Sequence, residues 1–296
     1  MRLAAIDIGS NAVRLLIQDV QTDAEGHLER KKVSFTRVPI RLGEDVFDTG
    51  MISEARAVAL TKAMKAFWYL MDLHGVEHFR ACATSAMREA KNGQEVADQI
   101  FHQANLQIDL IPGATEADLI YATLETTELL DGYKDRDLLF IDVGGGSTEI
   151  TLIRHGERLR SASFMLGTVR SIKSMTPDGE WDAVAAFIDT LDGQPSLLAV
   201  GTGGNINRYH RLSRADRGEP VTLKAIKKLH AEMSAMTYDE RVDDLGLKPD
   251  RADVILPAGE IYMKVMSLAK CKGIIVPKVG LSDGIILDLY RTITQA

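Results

Sequence analysis

The sequence predicts an α/β fold built from two related halves. An apolar strand that ends on an aspartate and enters a glycine turn occurs at Leu3–Ile17 and again at Leu138–Ile150. When the two stretches are aligned, Asp7 falls on Asp142. Helical and strand-like segments alternate in both halves, and a third glycine turn, Ala199–Tyr209, follows another apolar strand. These observations together indicate a duplicated half-domain.

The first half is predicted to contain a mixed sheet with helices. Ser53 is a good N-cap and Gly75 a good stop for a helix with one apolar face. The predicted elements, in a βββαβαβ order, are two strands over residues 2–19, a strand at Lys31–Leu42, the helix Ser53–Gly75, a strand at His78–Thr84, a helix at Gln94–Gln103 and a strand at Leu106–Ile111. The segment Arg41–Glu44 is interpreted as the exit from the third strand.

The second half repeats this alternation and ends in helices. Its predicted helices are Thr115–Leu130, Gly167–Ser174, Glu180–Leu191, one capped by Thr222 and a last one at Ser282–Arg291. Its predicted strands are Leu138–Asp142, Thr148–Arg154, Glu157–Met165, Ser196–Val200 and Gly273–Pro277. A hinge near Ile111–Ala117 divides the chain into domains 1–115 and 116–296. Whether the last helix packs back on the first domain is left open.

Composition restricts the class of protein. With 45% apolar and 26% charged residues the chain is typical of a globular protein, and because no apolar run approaches about 18 residues we expect no membrane segment and a cytoplasmic location. The net charge of −7 argues against nucleic acid as a partner. Neither Cys82 nor Cys271 has a metal-type spacing, so buried structural thiols are expected.

The central turn has the composition of a phosphate site. Gly144, Gly145 and Gly146 have no Cβ, so their N–H groups can converge on an anion, and Ser147 and Thr148 add hydroxyl groups. Asp142 and Glu149 place two carboxylates at the same turn. Phosphate and carboxylates are compatible when Mg²⁺ lies between them. A tight hairpin with glycines that serve geometry alone is the alternative that the residues leave open.

Basic residues follow the third glycine turn. They are Arg208, Arg211, Arg214, Arg217, Lys224, Lys227 and Lys228. A track for a polyanion and a solvated helix face are equally compatible with this pattern. Glu116 lies in the first turn of its predicted helix, where position alone favours a role in complementing the helix dipole.

Eight segments in order resemble the exopolyphosphatase and guanosine pentaphosphate phosphohydrolase family, Ppx/GppA. They are DIGSNAVRLLI (7–17), RLGEDVF (41–47), ATSAMREAKNG (83–93), IPGATEADLIYAT (111–123), IDVGGGSTEITLI (141–153), GTGGNINR (201–208), RADVILPAG (251–259) and VGLSDGII (279–286). The resemblance implies two ribonuclease-H-like domains of the actin, sugar kinase and Hsp70 superfamily that face each other across a cleft. It also implies a homodimer.

The resemblance assigns a role to each site residue. The catalytic residues Glu116 and Glu149 flank the reacting phosphate, with Glu116 as the general base or the residue that orients water, and Arg88 clamps the phosphate. Asp142 and Glu149 become the Mg²⁺ ligands, with Asp7 in support. The implied phosphate donors are Ser10, Asn11, Gly144, Gly145, Gly146, Ser147, Thr148, Gly203, Gly204, Asn205 and Arg208.

The sequence departs from the family pattern at four positions. Ala12 replaces a Ser or Thr, Thr115 an acid, and Asp118 and Ser282 each an arginine. The loss of two positive charges implies either weaker binding of long polyphosphate or a shorter or different substrate.

The expected function is Mg²⁺-dependent removal of terminal phosphate from inorganic polyphosphate, or of the γ-phosphate of guanosine pentaphosphate. The alternatives are a kinase or ATPase of the same superfamily, which needs a nucleoside pocket, and a non-catalytic sensor of alarmones or polyphosphate, which binds without turnover.

Overall fold

The computed structural model describes residues 1–127, 132–133, 136–190 and 197–295. The chain divides into two compact units. Unit 1 comprises Met1–Thr126 and Gly280–Ala296, and unit 2 comprises Thr127–Val279. In the part of the chain that is described, no helix is both long enough and apolar enough to cross a bilayer.

Unit 1 is a five-stranded sheet with helices. Its elements are β1 (Arg2–Ile8), β2 (Val13–Thr22), β3 (Leu28–Val38), α1 (Leu42–Thr49), α2 (Glu54–Leu73), β4 (His78–Ala83), α3 (Ser85–Glu89), α4 (Gly93–Ala104), β5 (Asp109–Leu110), α5 (Gly113–Glu125) and, from the end of the chain, α13 (Leu281–Gln295). The strand order is β3-β2-β1-β4-β5. The first three strands are antiparallel, whereas β4 and β5 are parallel to β1.

Unit 2 contains a six-stranded sheet in the order β10-β11-β9-β6-β7-β8. Its elements are β6 (Leu138–Val143), β7 (Thr148–Arg154), β8 (Glu157–Phe164), α6 (Thr168–Ile172), α7 (Glu180–Asp189), β9 (Leu198–Thr202), α8 (Gly204–Ser213), β10 (Val221–Thr222), α9 (Leu223–Ser234), α10 (Tyr238–Asp243), α11 (Pro249–Ala252), α12 (Ile255–Leu268) and β11 (Gly273–Ile275). Apolar residues from this sheet and from α7, α8, α9 and α12 form one core.

The two units share one topology, which confirms the predicted duplication. An antiparallel meander is followed by two parallel strands in both, as β1-β2-β3 with β4 and β5, and as β6-β7-β8 with β9 and β11. The register also matches, because Asp7 lies opposite Arg14 on β2 and Asp142 lies opposite Glu149 on β7. The aligned acids therefore occupy equivalent positions in the two sheets.

Local signals located most elements correctly. The Ser53 hydroxyl accepts a hydrogen bond from the Arg56 N–H and so caps α2, and Thr222 caps α9 in the same way. The predicted apolar face of α2 is buried. Both cysteines are buried and reduced, and burial raises the pKa of each thiol to about 12. The predicted helix end at Leu130, the helix end at Leu191 and the strand start at Ser196 lie outside the described residues.

The structure differs most from the predicted elements in the segment after β3. The strand ends at Val38 rather than Leu42, and Leu42–Thr49 is the helix α1, not a strand exit. Arg41 turns the chain with a φ of 60°, and its guanidinium pairs with Glu44 at 2.6 Å. Arg56 of α2 also pairs with Glu44, at 2.5 Å. Because that second pair joins separate elements, local sequence signals do not reveal it.

Helix α13 lies so close to α5 that only glycine fits at the contact. A Cβ added at Gly284 would lie 2.1 Å from the carbonyl oxygen of Leu119. We expect Gly284→Ala to lower the free energy of unfolding by about 1–3 kcal/mol, because the backbone must move, although alanine favours a helix by about 1 kcal/mol. Denaturant unfolding measures this loss. Gly280→Ala is the control, since nothing lies within 4 Å of its added Cβ; equal losses in the two variants would contradict the packing argument.

Candidate active site

The glycine turn of unit 2 is a four-residue connection between β6 and β7. The strand pairing ends at Val143 and Thr148, and the N–H of Gly144 closes the turn by donating to the carbonyl of Ser147 at 2.9 Å. Residues at the start of α6 donate hydrogen bonds to the other three carbonyls of the turn. Thr168 N–H donates to Gly144, Val169 N–H to Gly145, and the Arg170 Nε to Gly146, at 2.8–3.0 Å. Every carbonyl of the turn therefore accepts a hydrogen bond from the protein.

The donors of the same turn have no such partners. Among the described residues, no protein acceptor bonds the N–H groups of Gly145, Gly146 and Ser147. Buried or half-buried N–H groups normally find an acceptor. Successive N–H groups of this kind form the concave sites that bind anions such as phosphate. The turn therefore offers three neighbouring donors to an anion.

Two carboxylates lie beside these donors. Asp142 and Glu149 face each other across the β6–β7 ladder, and their carboxylate oxygens approach within 4.8 Å. The hydroxyl of Thr202 donates to Asp142 at 2.5 Å, and that of Ser163 donates to Glu149 at 2.8 Å. Glu149 is fully buried. Two oriented carboxylates beside an anion site are the donor set that a hard divalent cation prefers, so these residues fit a metal ion.

Tyr262 of α12 forms hydrogen bonds with the ends of two strands at this site. Its hydroxyl donates to the carbonyl of Thr202 at 2.5 Å and accepts from the N–H of Val143 at 3.3 Å. Burial, together with the charges of Asp142 and Glu149, raises the pKa of this hydroxyl well above its usual value. Tyr262 is therefore a neutral residue whose hydroxyl links β6 to β9 through hydrogen bonds.

The predicted hydroxyl donors differ in their surroundings. The Thr148 hydroxyl is fully buried and donates to the carbonyl of Leu166 at 2.6 Å. A hydroxyl has one proton. In this arrangement the Thr148 hydroxyl proton is used in a bond to the protein backbone. Donation from Thr148 to a phosphate stays a prediction. Ser147 is buried and ends the turn.

The third turn lies next to the acidic pair. Gly203 has a φ of 102°, and a Cβ added there would lie 3.5 Å from an oxygen of Asp142. Gly204 begins α8, and its carbonyl accepts from Arg251 at 2.8 Å. Asn205 and Arg208 follow on the same helix, both half-buried. Burial and the neighbouring Arg211 lower the pKa of the Arg208 guanidinium.

Unit 1 carries the equivalent turn with different chemistry. Gly9 N–H closes it onto the carbonyl of Ala12 at 3.2 Å, and the carbonyls of Ser10 and Asn11 accept from the residues that begin α1. The Ser10 hydroxyl lies 2.8 Å from that of Ser85. Asp7 forms an ion pair with Arg14 at 2.5 Å. An acid and a base thus occupy the positions that two acids hold in unit 2.

Glu116 and Arg88 lie together in unit 1. Glu116 is buried in the first turn of α5, and its Oε2 is 4.0 Å from an Nη of Arg88. The same guanidinium nitrogen donates to the carbonyl of Ile111 at 2.7 Å. Arg88 is therefore held by a backbone carbonyl, and its guanidinium lies near the Glu116 carboxylate.

Several supporting residues were not predicted from the sequence. Thr202, Ser163 and Tyr262 contact the acidic pair or its strands, and Arg251 contacts the third turn. Thr202 directly precedes the Gly203-Gly204 pair, which is the one local signal available. The others come from strands or helices far along the chain.

The fold and the turn together define a two-unit α/β protein with a candidate anion site beside two carboxylates. The family model for the Ppx/GppA phosphatase family matches residues 20–292. The chain belongs to this family.

Curated relatives cover nearly the whole chain. Exopolyphosphatase 2 of Mycobacterium tuberculosis is 34% identical over 97% of this chain and 98% of its own length. Exopolyphosphatase 1 of Mycobacterium bovis is 27% identical over 97% and 88%, respectively. The guanosine-5'-triphosphate,3'-diphosphate pyrophosphatase of Aeromonas salmonicida is 24% identical over 97% of this chain and 59% of its own.

Solved structures share the fold. An exopolyphosphatase from Cytophaga hutchinsonii superposes with a TM-score of 0.82 at 23% identity and covers 100% of this chain and 99% of its own. The Ppx/GppA family member of Aquifex aeolicus gives a TM-score of 0.76 at 24% identity with the same coverage.

The hydroxyl of Ser163 orients one carboxylate of the acidic pair. We expect Ser163→Ala to lower phosphatase activity or metal affinity by about 10–100-fold, as loss of such an orienting bond does in metal sites. Ser161→Ala is the matched control, because Ser161 lies two residues away on β8 and its hydroxyl contacts Thr151 at 2.8 Å instead. Activity titrated with Mg²⁺ measures the effect. Equal behaviour of the two variants would show that Glu149 needs no orientation from Ser163.

Proposed function

We propose that the protein is a Mg²⁺-dependent phosphoanhydride hydrolase that releases terminal phosphate from inorganic polyphosphate, and that guanosine pentaphosphate is a second substrate. One observation carries the proposal. Three N–H groups without a protein acceptor lie next to two carboxylates in the Gly144–Glu149 segment. This combination serves a phosphate and its cation. The family resemblance adds a cytoplasmic location and a homodimer to the proposal.

Asp142 and Glu149 would hold the metal ion, which neutralises charge on the phosphate when it is bound. Thr202 and Ser163 fix the two carboxylates, so that they do not have to reorganise during the reaction. The N–H groups of Gly145, Gly146 and Ser147 bind non-bridging oxygens of the terminal phosphate. Asp7, already neutralised by Arg14, takes a supporting role through its own turn.

Glu116 and Arg88 are proposed to act on the attacking water and the phosphate. Water attacks the terminal phosphorus in line with the bridging oxygen, its proton passes to the Glu116 carboxylate, and the bond from phosphorus to the bridging oxygen breaks. The products are orthophosphate and a chain one unit shorter. Arg88, fixed by its bond to the Ile111 carbonyl, keeps a planar guanidinium beside this carboxylate.

The relatives' names support the substrate class. Full-length matches are named exopolyphosphatases, and longer relatives are named guanosine pentaphosphate pyrophosphatases. Asp118 and Ser282 stand where the family pattern has arginines, so two positive charges that could hold a long chain are missing. We therefore propose a preference for short chains over long ones.

Phosphate release tests the proposal directly. Purified protein with Mg²⁺ is given long polyphosphate, tripolyphosphate, guanosine pentaphosphate or ATP, and orthophosphate is measured. We expect release from the first three, and a loss of about 10²–10⁴-fold in Glu116→Gln with binding retained, because the variant removes the proton acceptor without adding positive charge.

Asp118→Asn is the matched control for that variant. Asp118 is an exposed acid two residues further along α5, and the substitution removes the same charge. Equal activity in Glu116→Gln and the wild type would exclude Glu116 as the base. Phosphate transfer from ATP to an acceptor would instead make the protein a kinase, and binding without release from any substrate would make it a sensor.

Arg208 is expected to contact phosphates beyond the terminal one. Its pKa is lowered by burial and by Arg211, so an anion would relieve both penalties. We expect Arg208→Ala to raise the KM for long polyphosphate by about tenfold and that for tripolyphosphate by much less. Arg217→Ala is the control, since Arg217 is exposed and lies beyond the end of α8. Equal changes for both chain lengths would indicate a solvated surface.

A further inference from the structure

A second basic site lies on unit 2, away from the glycine turns in sequence. A surface pocket of about 540 Å³ is lined by the start of α9, the end of α12 and the turn that leads from α12 to β11. Four of its lining residues are lysines: Lys224, Lys227, Lys270 and Lys272. Its volume falls within the range of about 300–1,000 Å³ of small-molecule sites.

The charge in this pocket is uncompensated. No acidic residue lines the pocket, and within the described ranges none of the four lysines forms an ion pair. Lys228, by contrast, lies on the same helix outside the pocket and approaches Glu232 at 3.8 Å. Four ammonium groups around one pocket in a chain of net charge −7 repel one another and attract a multivalent anion.

The backbone fixes the two halves of the pocket against each other. The N–H of Leu223 donates to the carbonyl of Lys272 at 2.9 Å, which joins the start of α9 to the turn after α12. Lys270 turns the chain after α12 with a φ of 54°, and the N–H of Cys271 closes that turn onto Met266 at 2.8 Å. The lysine backbones are thus preorganised although their ammonium groups are exposed.

The lining favours a compact, highly charged anion. Met266 and Cys271 are buried and form the apolar base of the pocket. The N-terminus of α9 adds its partial positive charge from one side. No aromatic residue lines the pocket to stack on a nucleobase.

We propose that this lysine pocket binds a chain of linked inorganic phosphates, separately from the acidic pair at Asp142 and Glu149. The choice of linked phosphates rests on the proposed function, whereas the pocket itself does not require turnover. A second site of this kind would hold polyphosphate on the protein while the terminal unit is processed, or after product release.

Lysine footprinting tests the proposal without any hydrolysis. The full chain is acetylated with and without tripolyphosphate, in the presence of a chelator and at constant ionic strength, and the rate at each lysine is measured by mass spectrometry. We expect the four pocket lysines to be protected about threefold or more, and Lys228 to be unaffected. Equal slowing at all lysines would overturn the proposal. So would equal protection by sulfate, or protection by GTP but not by tripolyphosphate.

Three variants provide the matched test. Lys224→Ala combined with Lys270→Ala should weaken tripolyphosphate binding at the pocket about tenfold, whereas the same pair changed to Arg should retain it. Lys228→Ala should leave it unchanged. Unchanged affinity in the double alanine variant would overturn the proposal. Because the readout is binding, failure of the phosphate-release assay leaves this result interpretable.

Discussion

The carbonyl groups of the Gly144–Ser147 turn are all occupied, and the candidate site depends on this constraint. Once each carbonyl accepts from the turn itself or from the start of α6, three N–H groups remain for an anion. The contact is close enough that a Cβ added at Gly167 would lie 2.4 Å from the turn's backbone. Glycine at 167 is therefore as necessary to the site as the glycines of the turn. A phosphate site built from backbone donors keeps its geometry without side-chain reorganisation.

The two units show how one topology supports two different sites. Equivalent ladder positions hold Asp7 opposite Arg14 in unit 1 and Asp142 opposite Glu149 in unit 2. An ion pair satisfies its own charge, whereas two carboxylates at one turn require an external cation or the uptake of a proton by one of them. The metal is therefore expected at unit 2. The turn of unit 1, which has one glycine where unit 2 has three, is tied to α1 through the carbonyls of Ser10 and Asn11.

Sequence alone predicted the features that local chemistry determines. Strand and helix positions followed from periodicity and caps such as Ser53, and the duplication followed from the alignment of Asp7 with Asp142. Helix α1 was missed because an ion pair from Arg56, twelve residues after Glu44, helps to hold it. Tyr262 was missed because its partners Val143 and Thr202 are far away along the chain. The identity of these supporting residues is set by tertiary contacts, which periodicity does not encode.

An acidic protein can bind a polyanion only if recognition is local. At physiological ionic strength the Debye length is about 8 Å, so the net charge of −7 is largely screened at any one site. Binding of a polyanion therefore depends on the balance of positive and negative charge within a few ångströms of the ligand. Burial and Arg211 lower the pKa of Arg208, and the pocket at the start of α9 is lined by lysines without an acid. Unit 2 thus carries positive side chains other than those near its acidic pair, and this arrangement fits our proposal that the phosphate chain and the cation bind at different residues.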